Sequence, residues 1–275
     1  MSGERTSAGD PAHTLALLWR GTGGGAAPGP RRGPRRALDV DAVVAAAVAL
    51  ADEQGLAGLS MRRLAERLGV GAMSLYTYVA DRDELLDLVL DSAYAAMPRR
   101  DTTGLPWRER VAAVAEENRE LYRAHPWAAE VSTLRPPLGP GQTAKYEHEL
   151  AAFDGCGLDD VAVDDCLTHL LVFVRACARD AAAAREQRRD GDDEQWWAAA
   201  GPLLARVLDA ARFPRAVRVG AAAGAAHGSA HDPEHAYEFG LQRLLDGLAA
   251  LVEPAETAEP AETVEEPAAG SRRGR

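Results

Sequence analysis

Two short helical patterns separated by only three residues constrain the fold of this chain more than any other feature of its sequence. The first pattern follows Ser60, a favoured helix-capping residue, and repeats apolar side chains at positions i, i+3, i+4 and i+7 over residues 61–68. It stops at Gly69, and a second apolar pattern begins at Ala72. Two short helices joined by so tight a glycine turn are typical of a helix-turn-helix, although such pairs also serve as plain packing units.

The rest of the chain carries the same helical periodicity, which predicts an all-α protein. Alanine dominates the apolar residues and aromatic residues make up only 5% of the sequence, a composition that favours close-packed helices over sheets. Segments rich in proline and glycine separate the helical patterns. Beyond the two short helices, we predict helices at 40–54, 83–97, 107–124, 142–153, 159–188, 195–211 and 234–252.

The two ends of the chain differ in composition from the helical part. Residues 20–36 are almost entirely glycine, proline, alanine and arginine, which cannot bury enough apolar surface to fold. We therefore predict a flexible basic N-terminal extension over 1–37 and, from its many glutamates, a disordered acidic tail over 253–275. Between them lie a predicted three-helix domain at 38–82 and a larger helical domain at 83–252.

Several classes of protein are excluded by what the sequence lacks. Its three cysteines show no CxxC spacing and are typical of reduced thiols in a cytoplasmic protein. The longest apolar run has ten residues, about half of what spans a bilayer. There is no glycine-rich phosphate loop, nucleophile elbow or HExxH motif. We therefore expect a cytoplasmic protein that is not an enzyme, contacts no membrane and needs no cofactor.

Charge is divided unevenly along the chain. The formal charge at pH 7 is −11, from 31 basic and 42 acidic residues, which argues against a generic polyanion binder. Residues 31–82, however, hold eight arginines and six acids, and the other 23 basic and 36 acidic residues lie outside that stretch. The sequence therefore predicts a mildly basic N-terminal part, which can approach phosphate, and an acidic remainder.

The second helix of the pair has the composition expected of a helix that enters the DNA major groove. Such a helix must be slim, because the groove is about 12 Å wide. Tyr76 and Tyr78 carry phenol groups that can reach phosphates, and positive charge flanks the helix at Arg62, Arg63 and Arg82. Small or hydroxyl-bearing side chains dominate the rest of it: Ala72, Met73, Ser74 and Thr77.

Residues 59–90 resemble the DNA-binding domain of the TetR/AcrR family of bacterial transcription regulators. Their sequence, LSMRRLAERLGVGAMSLYTYVADRDELLDLVL, contains the blocks L-x-x-R-x-L-A-x-x-L-G-V and L-Y-x-[HY]-V and the cap and leucine run that follow them. Residues 213–215 and 237–252 also resemble the end of the effector domain in the subgroup of the tetracycline repressor. The resemblance implies a helix-turn-helix DNA-binding domain at 38–82 and a ligand-binding and dimerisation domain at 83–252.

This resemblance implies a set of DNA contacts. Base edges are expected to meet Arg62, Ala72, Met73, Ser74 and Thr77. Phosphates are expected to meet Ser60, Tyr76, Tyr78 and Arg82. The chemistry agrees, because arginine can bind guanine with two hydrogen bonds and hydroxyl groups can bond several bases. We assign the apolar residues of the same segment to the core: Leu64, Leu68, Val70, Leu75 and Val79.

The roles of the other arginines near the predicted helix-turn-helix stay open. Arg63 and Arg67 are better interpreted as a solvated helix face than as DNA contacts. The four arginines of the extension could enter a minor groove or merely screen phosphates, and the sequence favours neither: Arg31, Arg32, Arg35 and Arg36.

The last predicted helix, 234–252, carries an apolar stripe that is wide for a surface helix, and Gly240 and Gly247 permit close approach of another helix. In the family this helix and the long one near 159–185 form a two-fold dimer interface. The resemblance therefore implies a homodimer and a palindromic operator. The alternative is that the stripe closes only the core of its own chain.

The resemblance also places a small-molecule pocket within the helical body. By residue chemistry, the candidate ligand contacts are Asn118, Tyr122, Trp127, Ser132, Tyr146, Glu149, Thr168 and Leu171. Ser132 stands near the position where the tetracycline repressor has a histidine that helps to hold the drug's magnesium. We therefore do not expect tetracycline with magnesium to be the ligand.

Three histidines spaced four residues apart, His227, His231 and His235, would align on a continuous helix and could hold a metal. Because Gly228 and Pro233 interrupt such a helix, we favour a polar loop and expect no metal site.

Together these features predict a homodimeric repressor that occupies double-stranded operator DNA and leaves it when an unknown small-molecule effector binds. A regulator that needs no effector, or one that activates transcription and uses the body only for dimerisation, remains the alternative.

Overall fold

The computed structural model describes residues 10–21, 38–132, 134–190 and 193–252, and within these residues the chain forms helices and no strands. The all-α prediction is confirmed. Short 3-10 turns lie at Pro126–Ala129 and Ala151–Phe153. The α-helices are α1 (Pro11–Leu18), α2 (Val40–Gly58), α3 (Met61–Leu68), α4 (Ala72–Leu75), α5 (Arg82–Ala96), α6 (Trp107–Ala124), α7 (Pro140–Leu150), α8 (Asp160–Asp190), α9 (Asp193–Val207), α10 (Pro214–His227) and α11 (Pro233–Val252).

The ends of the first helices are set by the residues that the sequence marks as caps. Side-chain oxygens of Asp39, Ser60 and Asp81 each accept a hydrogen bond from the backbone N–H three residues further on, at 2.8, 3.3 and 2.8 Å. Gly69 ends α3 in the left-handed conformation, with φ of 68°. Gly55, where we predicted the end of the preceding helix, interrupts α2 with φ of 67° and ψ of −179°.

Helices α2, α3 and α4 form a small head around the start of α5. Leu64, Leu75 and Val79 are at most 1% exposed, while Leu68 and Val70 are half-buried against them. These five residues therefore belong to the core, as predicted.

The body is a bundle in which α6, α8 and α11 pack against one another and α7 packs across α5. The α5–α7 contact is close because Gly141 lies on the α5 backbone, where a Cβ would overlap the oxygen of Asp91. The carboxylate of Asp91 accepts a hydrogen bond of 2.8 Å from the backbone N–H of Gln142, so a side chain of α5 caps α7.

The sequence prediction of a flexible extension over 1–37 is wrong for α1. Asp10 caps this helix by accepting from the N–H of Ala12, and Pro11 occupies the first helical position. Leu18 is 5% exposed, and the hydroxyl of Thr14 donates to the buried carboxylate of Glu84 on α5 at 3.0 Å. The apolar run at residues 15–19 is too short to indicate a helix by itself, and packing on α5 stabilises α1. The four arginines at 31–36 and the acidic tail lie outside the described residues.

A second helix that the sequence did not predict is α10. Its alanine- and glycine-rich sequence has no apolar stripe, and none of its residues is buried. It begins at Pro214, ends before Gly228 in the left-handed conformation, and packs Gly224 against the ring of Trp197 on α9. Among the described residues, no helix has both the length and the apolar content required to cross a membrane.

Candidate nucleic-acid interface and ligand cavity

Side chains of α3 and α4 form an exposed surface on the head. Met73 is 78% exposed and the Arg62 side chain 83%, and Ala72, Ser74 and Thr77 are exposed beside them. We call these five residues the reading face. Leu75 and Val79 anchor the opposite side of the same segment in the core, so the amphipathic pattern of the sequence fixes which side chains point outward.

The arginines of α3 differ in how firmly the protein holds them. Nε of Arg62 lies 3.5 Å from Oε1 of Glu66, a weak surface contact. Arg67, in contrast, binds both carboxylate oxygens of Glu53 at 2.6 and 2.7 Å, which lowers the pKa of Glu53. Arg63 donates to the side-chain amide oxygen of Gln54 at 3.2 Å. Arg62 is therefore the α3 arginine most available to turn toward a base.

The residues expected on phosphates have different surroundings. The hydroxyl of Ser60 already caps α3, and Tyr76 is 47% exposed while Tyr78 is half-buried. Arg82 donates to the backbone oxygens of Leu59 and Leu56, both at 2.9 Å, and so fastens α5 to the end of α2. In this structure Arg82 thus holds the head together, and its phosphate contact stays a prediction.

A cavity of about 480 Å³ opens in the body between α5, α6, α7 and α8. We call it the effector cavity. Its volume lies within the range of about 300–1,000 Å³ that is usual for small-molecule sites. Five of the eight predicted ligand residues line it: Tyr122, Tyr146, Glu149, Thr168 and Leu171.

The other three predicted residues lie elsewhere. Asn118 is fully buried behind the wall and donates to Oε1 of Glu149 at 2.5 Å. Trp127 is 1% exposed and donates from its indole nitrogen to Asp52 of α2 at 2.6 Å, so it joins body to head. Ser132 is partly buried and is not one of the residues that line the cavity.

Sequence reasoning missed several residues of this cavity. The polar ones are Tyr94, Gln142, Thr143, Lys145, Asp164 and Arg175, and the segment with Pro136 and Leu138 closes one side. The spacing of Lys145 and Glu149, four residues apart on a helix, was the available signal for a pair. Nothing in the local sequence indicates that Tyr94 of α5 points into the body.

Buried polar groups cluster at one end of the effector cavity. The ammonium of Lys145 donates to Oε1 of Glu149 at 2.6 Å, and both side chains are at most 5% exposed. Within the described chain, Oε2 of Glu149 and Oδ1 of Asn118 are buried without a hydrogen-bond partner. An unpaired buried acceptor costs about 1–3 kcal/mol, and at Glu149, which lines the cavity, a ligand with an N–H or O–H donor would recover that cost.

Burial also fixes the protonation of the phenols in this cavity. It raises the pKa of Tyr122 to about 12 and the pKa of Tyr94 well above its ordinary value, and it lowers the pKa of Lys145. Both phenols are therefore neutral donors at pH 7. The cavity combines apolar walls with a few fixed donors and acceptors, an arrangement suited to binding an organic molecule in one orientation.

Two histidines of the predicted series lie together where α10 ends and α11 begins. The rings of His227 and His235 contact each other, with centroids 4.6 Å apart, and no group of three side chains suited to holding a metal ion occurs among the described residues.

The outer side of α11 carries apolar residues that the body leaves exposed. Phe239 is 56% exposed and Leu251 57%, while Gly247 has open space around it. Gly240, by contrast, faces inward and lies against the ring of Phe173 on α8. One of the two glycines of α11 thus serves the chain's own packing and the other faces outward.

Two family sequence models match the chain, one for each part of the fold. The model for "Bacterial regulatory proteins, tetR family" matches residues 43–89, and that for "Tetracyclin repressor-like, C-terminal domain" matches residues 99–252. Among curated proteins, the transcriptional repressor DrrR1 of Streptomyces coeruleorubidus is 41% identical over 256 residues, which cover 91% of this chain and 90% of DrrR1.

Solved structures with the same fold include proteins bound to ligand and to DNA. ActR of Streptomyces coelicolor, in complex with actinorhodin, is 32% identical and superposes with a TM-score of 0.68 over 81% of this chain and all of ActR. BioQ, known from Mycobacterium smegmatis, was solved with its double-stranded DNA operator; it is 28% identical, with a TM-score of 0.52 over 78% of this chain and 99% of BioQ.

Proposed function

The chain belongs to the TetR family of bacterial transcriptional regulators, and from this premise we propose that it is a homodimeric repressor of the cytoplasm. It binds a palindromic operator through α3 and α4. A small organic effector in the effector cavity releases it from the DNA.

The DNA-binding half of the proposal is supported by the reading face. Exposed Arg62, Ser74 and Thr77 offer hydrogen bonds to base edges, and Ala72 and Met73 offer apolar contact to thymine methyl groups. BioQ, of the same fold, was solved on double-stranded operator DNA. The acidic body leaves binding dependent on these specific contacts, because it opposes unspecific attraction to phosphate.

The ligand half is supported by the effector cavity and by the complex of ActR with actinorhodin. A mostly apolar cavity with neutral phenols and the unpaired Oε2 of Glu149 suits a polycyclic organic molecule that carries hydroxyl groups.

The observation that carries the proposal is that one helix, α5, belongs to both sites. At its start Arg82 binds the backbone of the head, and near its end Tyr94 lines the effector cavity. Between them Asp91 caps α7, which supplies more of the cavity wall. An effector that displaces α7 or Tyr94 therefore acts on the helix that sets the position of the head.

Arg62 provides the test of DNA reading. An operator is first selected from random double-stranded DNA, and binding is then measured by mobility shift at physiological salt. We expect Arg62→Ala to weaken operator binding by about 1–3 kcal/mol, because a guanine contact is lost. Arg67→Ala, which removes the same charge from an arginine already paired with Glu53, is the control and is expected to change binding little. Failure to select any preferred sequence would refute the proposal, as would wild-type binding by the Arg62→Ala, Tyr76→Ala double variant.

The effector is tested by thermal shift with aromatic natural products, actinorhodin included. A compound that binds the native protein raises its melting temperature. We expect such a compound to release the operator as well, and we expect Leu171→Trp, which fills the cavity, to abolish both effects. Leu134→Trp, on a side chain 93% exposed outside the cavity, is the control. If no compound both stabilises the protein and releases the operator, the chain is a regulator without an effector.

A further inference from the structure

A second cavity, separate from the effector cavity, lies between α1, α5 and the segment 135–138. Its volume is about 350 Å³, and we call it the junction cavity. Leu15 and Leu18 of α1 and the prolines at 136 and 137 give it apolar walls. Asp87 of α5 supplies a carboxylate, and the guanidinium-bearing Arg135 lies on the exposed side.

Asp87 is a buried acid with an unpaired carboxylate oxygen among the described residues. The residue is 2% exposed, and its Oδ1 has no hydrogen-bond partner in the described part of the chain. Burial first, and then the charges of Asp83, Glu84, Asp81 and Asp91, raise its pKa to about 7. A buried carboxyl group in this condition costs stability, and such groups are concentrated at functional sites.

The two neighbouring buried acids, Glu84 and Asp91, accept hydrogen bonds from identified donors. Glu84 accepts from the hydroxyl of Thr14 at 3.0 Å and from the backbone N–H of Ala80 at 2.6 Å, and it contacts His13. Asp91 accepts from the N–H of Gln142. The local fold therefore satisfies these two acids and leaves Asp87 to face the junction cavity.

The chemistry of the junction cavity specifies its ligand. Several negative charges surround Asp87, so the potential at its carboxylate favours a cation. Leucine and proline walls favour an apolar body, and the volume is near the lower limit of small-molecule sites. We propose that the junction cavity binds a small organic ammonium ion, whose N–H groups donate to Asp87 and whose apolar part packs against α1.

The junction cavity and the effector cavity share a wall, because Pro136 and Leu138 line both. The indole of Trp19, just after α1, donates to the backbone oxygen of Leu138 at 2.7 Å and holds this shared wall. A ligand that displaces this wall from one side would therefore change the affinity of the cavity on the other side, and linkage would make the effect reciprocal.

The test uses the full chain and 2-phenylethylammonium as probe, with 2-phenylethanol and 3-phenylpropanoate as its neutral and anionic counterparts. Binding is followed by calorimetry and by NMR shifts of α1 and α5. We expect saturable binding of the ammonium in the millimolar range, because so small a probe has few atoms that can contact the cavity. The neutral probe should bind about tenfold more weakly or worse, because it lacks a charge-assisted hydrogen bond.

Asp87→Asn and Asp83→Asn complete the test. Both replace a carboxyl group of α5 with a neutral amide, but only Asp87 lines the junction cavity. We expect Asp87→Asn to weaken ammonium binding about tenfold or more and Asp83→Asn to leave it within about threefold. Urea unfolding confirms that both variants are folded. Absence of saturable ammonium binding, equal binding of 2-phenylethanol, or unchanged binding by Asp87→Asn would each overturn the proposal. None of these readouts involves DNA, so the result stands apart from the proposed repressor function.

Discussion

At the scale of single residues, side chains of one chemical type have different roles because their partners differ. Arg62 has one weak contact on the surface, Arg67 has a bidentate pair with Glu53, and Arg82 donates to two backbone oxygens. The sequence places all three beside the helix-turn-helix. Only the positions of Glu53, Leu56 and Leu59, brought from α2 by the fold, distinguish an arginine available to DNA from those used within the head.

Asp87 gives a prediction about pH. Its pKa is raised to about 7, so between about pH 4 and pH 7 the folded chain retains a proton that the unfolded chain releases. The stability that this group contributes is complete below about pH 4 and is lost as the pH rises through 7. Asp87→Asn does not titrate. We therefore expect its free energy of unfolding to increase relative to wild type by about 1–3 kcal/mol between pH 4 and pH 8.

Urea unfolding at a series of pH values measures this difference. Asp83→Asn, which removes a nearby charge but not the buried one, is the matched control and should show a much smaller trend. A difference between Asp87→Asn and wild type that does not vary with pH would contradict the assignment.

At the scale of elements, the close contact of α5 with α7 connects the head to the wall of the effector cavity. Gly139 and Gly141 lie against Asp91 of α5, where any Cβ would overlap it, and Asp91 caps α7. Gly139, just before α7, and Gly141, in the first turn of α7, thus allow the helix that holds the head to touch the helix that lines the effector cavity. A contact this close transmits small displacements, because packed interiors are not easily compressed.

Gly141→Ala tests this link. The new methyl group would meet the backbone of α5, so we expect a loss of stability of about 1–3 kcal/mol and weaker release of DNA by effector. Gly220→Ala is the control, since nothing lies within 4 Å of a Cβ at this position of α10 and alanine favours helix by about 0.5–1 kcal/mol. Melting temperatures measure the stability of both variants, and effector titrations measure how readily each releases DNA. Equal stability of the variants would show that α5 and α7 are not in close contact.

At the scale of the whole molecule, charged residues and exposed apolar residues are distributed unevenly along the chain. The stretch 31–82 carries a small excess of arginine, whereas the rest of the chain carries the acidic excess. Apolar side chains remain exposed on the outer side of α11, at Phe239 and Leu251. Such a surface is typical of a self-association site, and two-fold pairing would present two heads to a palindrome.

Substitutions on α11 test the dimer. We expect wild type to sediment with twice the chain mass of 29.2 kDa, and Phe239→Glu with Leu251→Glu to give the chain mass, because like charges would meet across a two-fold axis. The double variant should also bind the operator more weakly, since each head then binds alone. Leu134→Glu, on a loop residue 93% exposed, is the control. A double variant that still sediments as a dimer would place the interface elsewhere.

The sequence by itself determined the local features of this protein: the helical class, the caps at Asp39, Ser60 and Asp81, the turn at Gly69 and the exposed side of α4. These follow from capping chemistry and from a period of about 3.6 residues, both of which act over a few neighbouring positions. The tertiary structure decided what depends on residues distant along the chain. It stabilised α1 through contacts 70 residues away with Glu84, directed Tyr94 and Lys145 into the effector cavity and placed Trp127 outside it. Among the described residues it also left Oδ1 of Asp87 without a hydrogen-bond donor. Burial and pairing are properties of the packed chain, because they depend on which surfaces meet, and no local pattern contains that information.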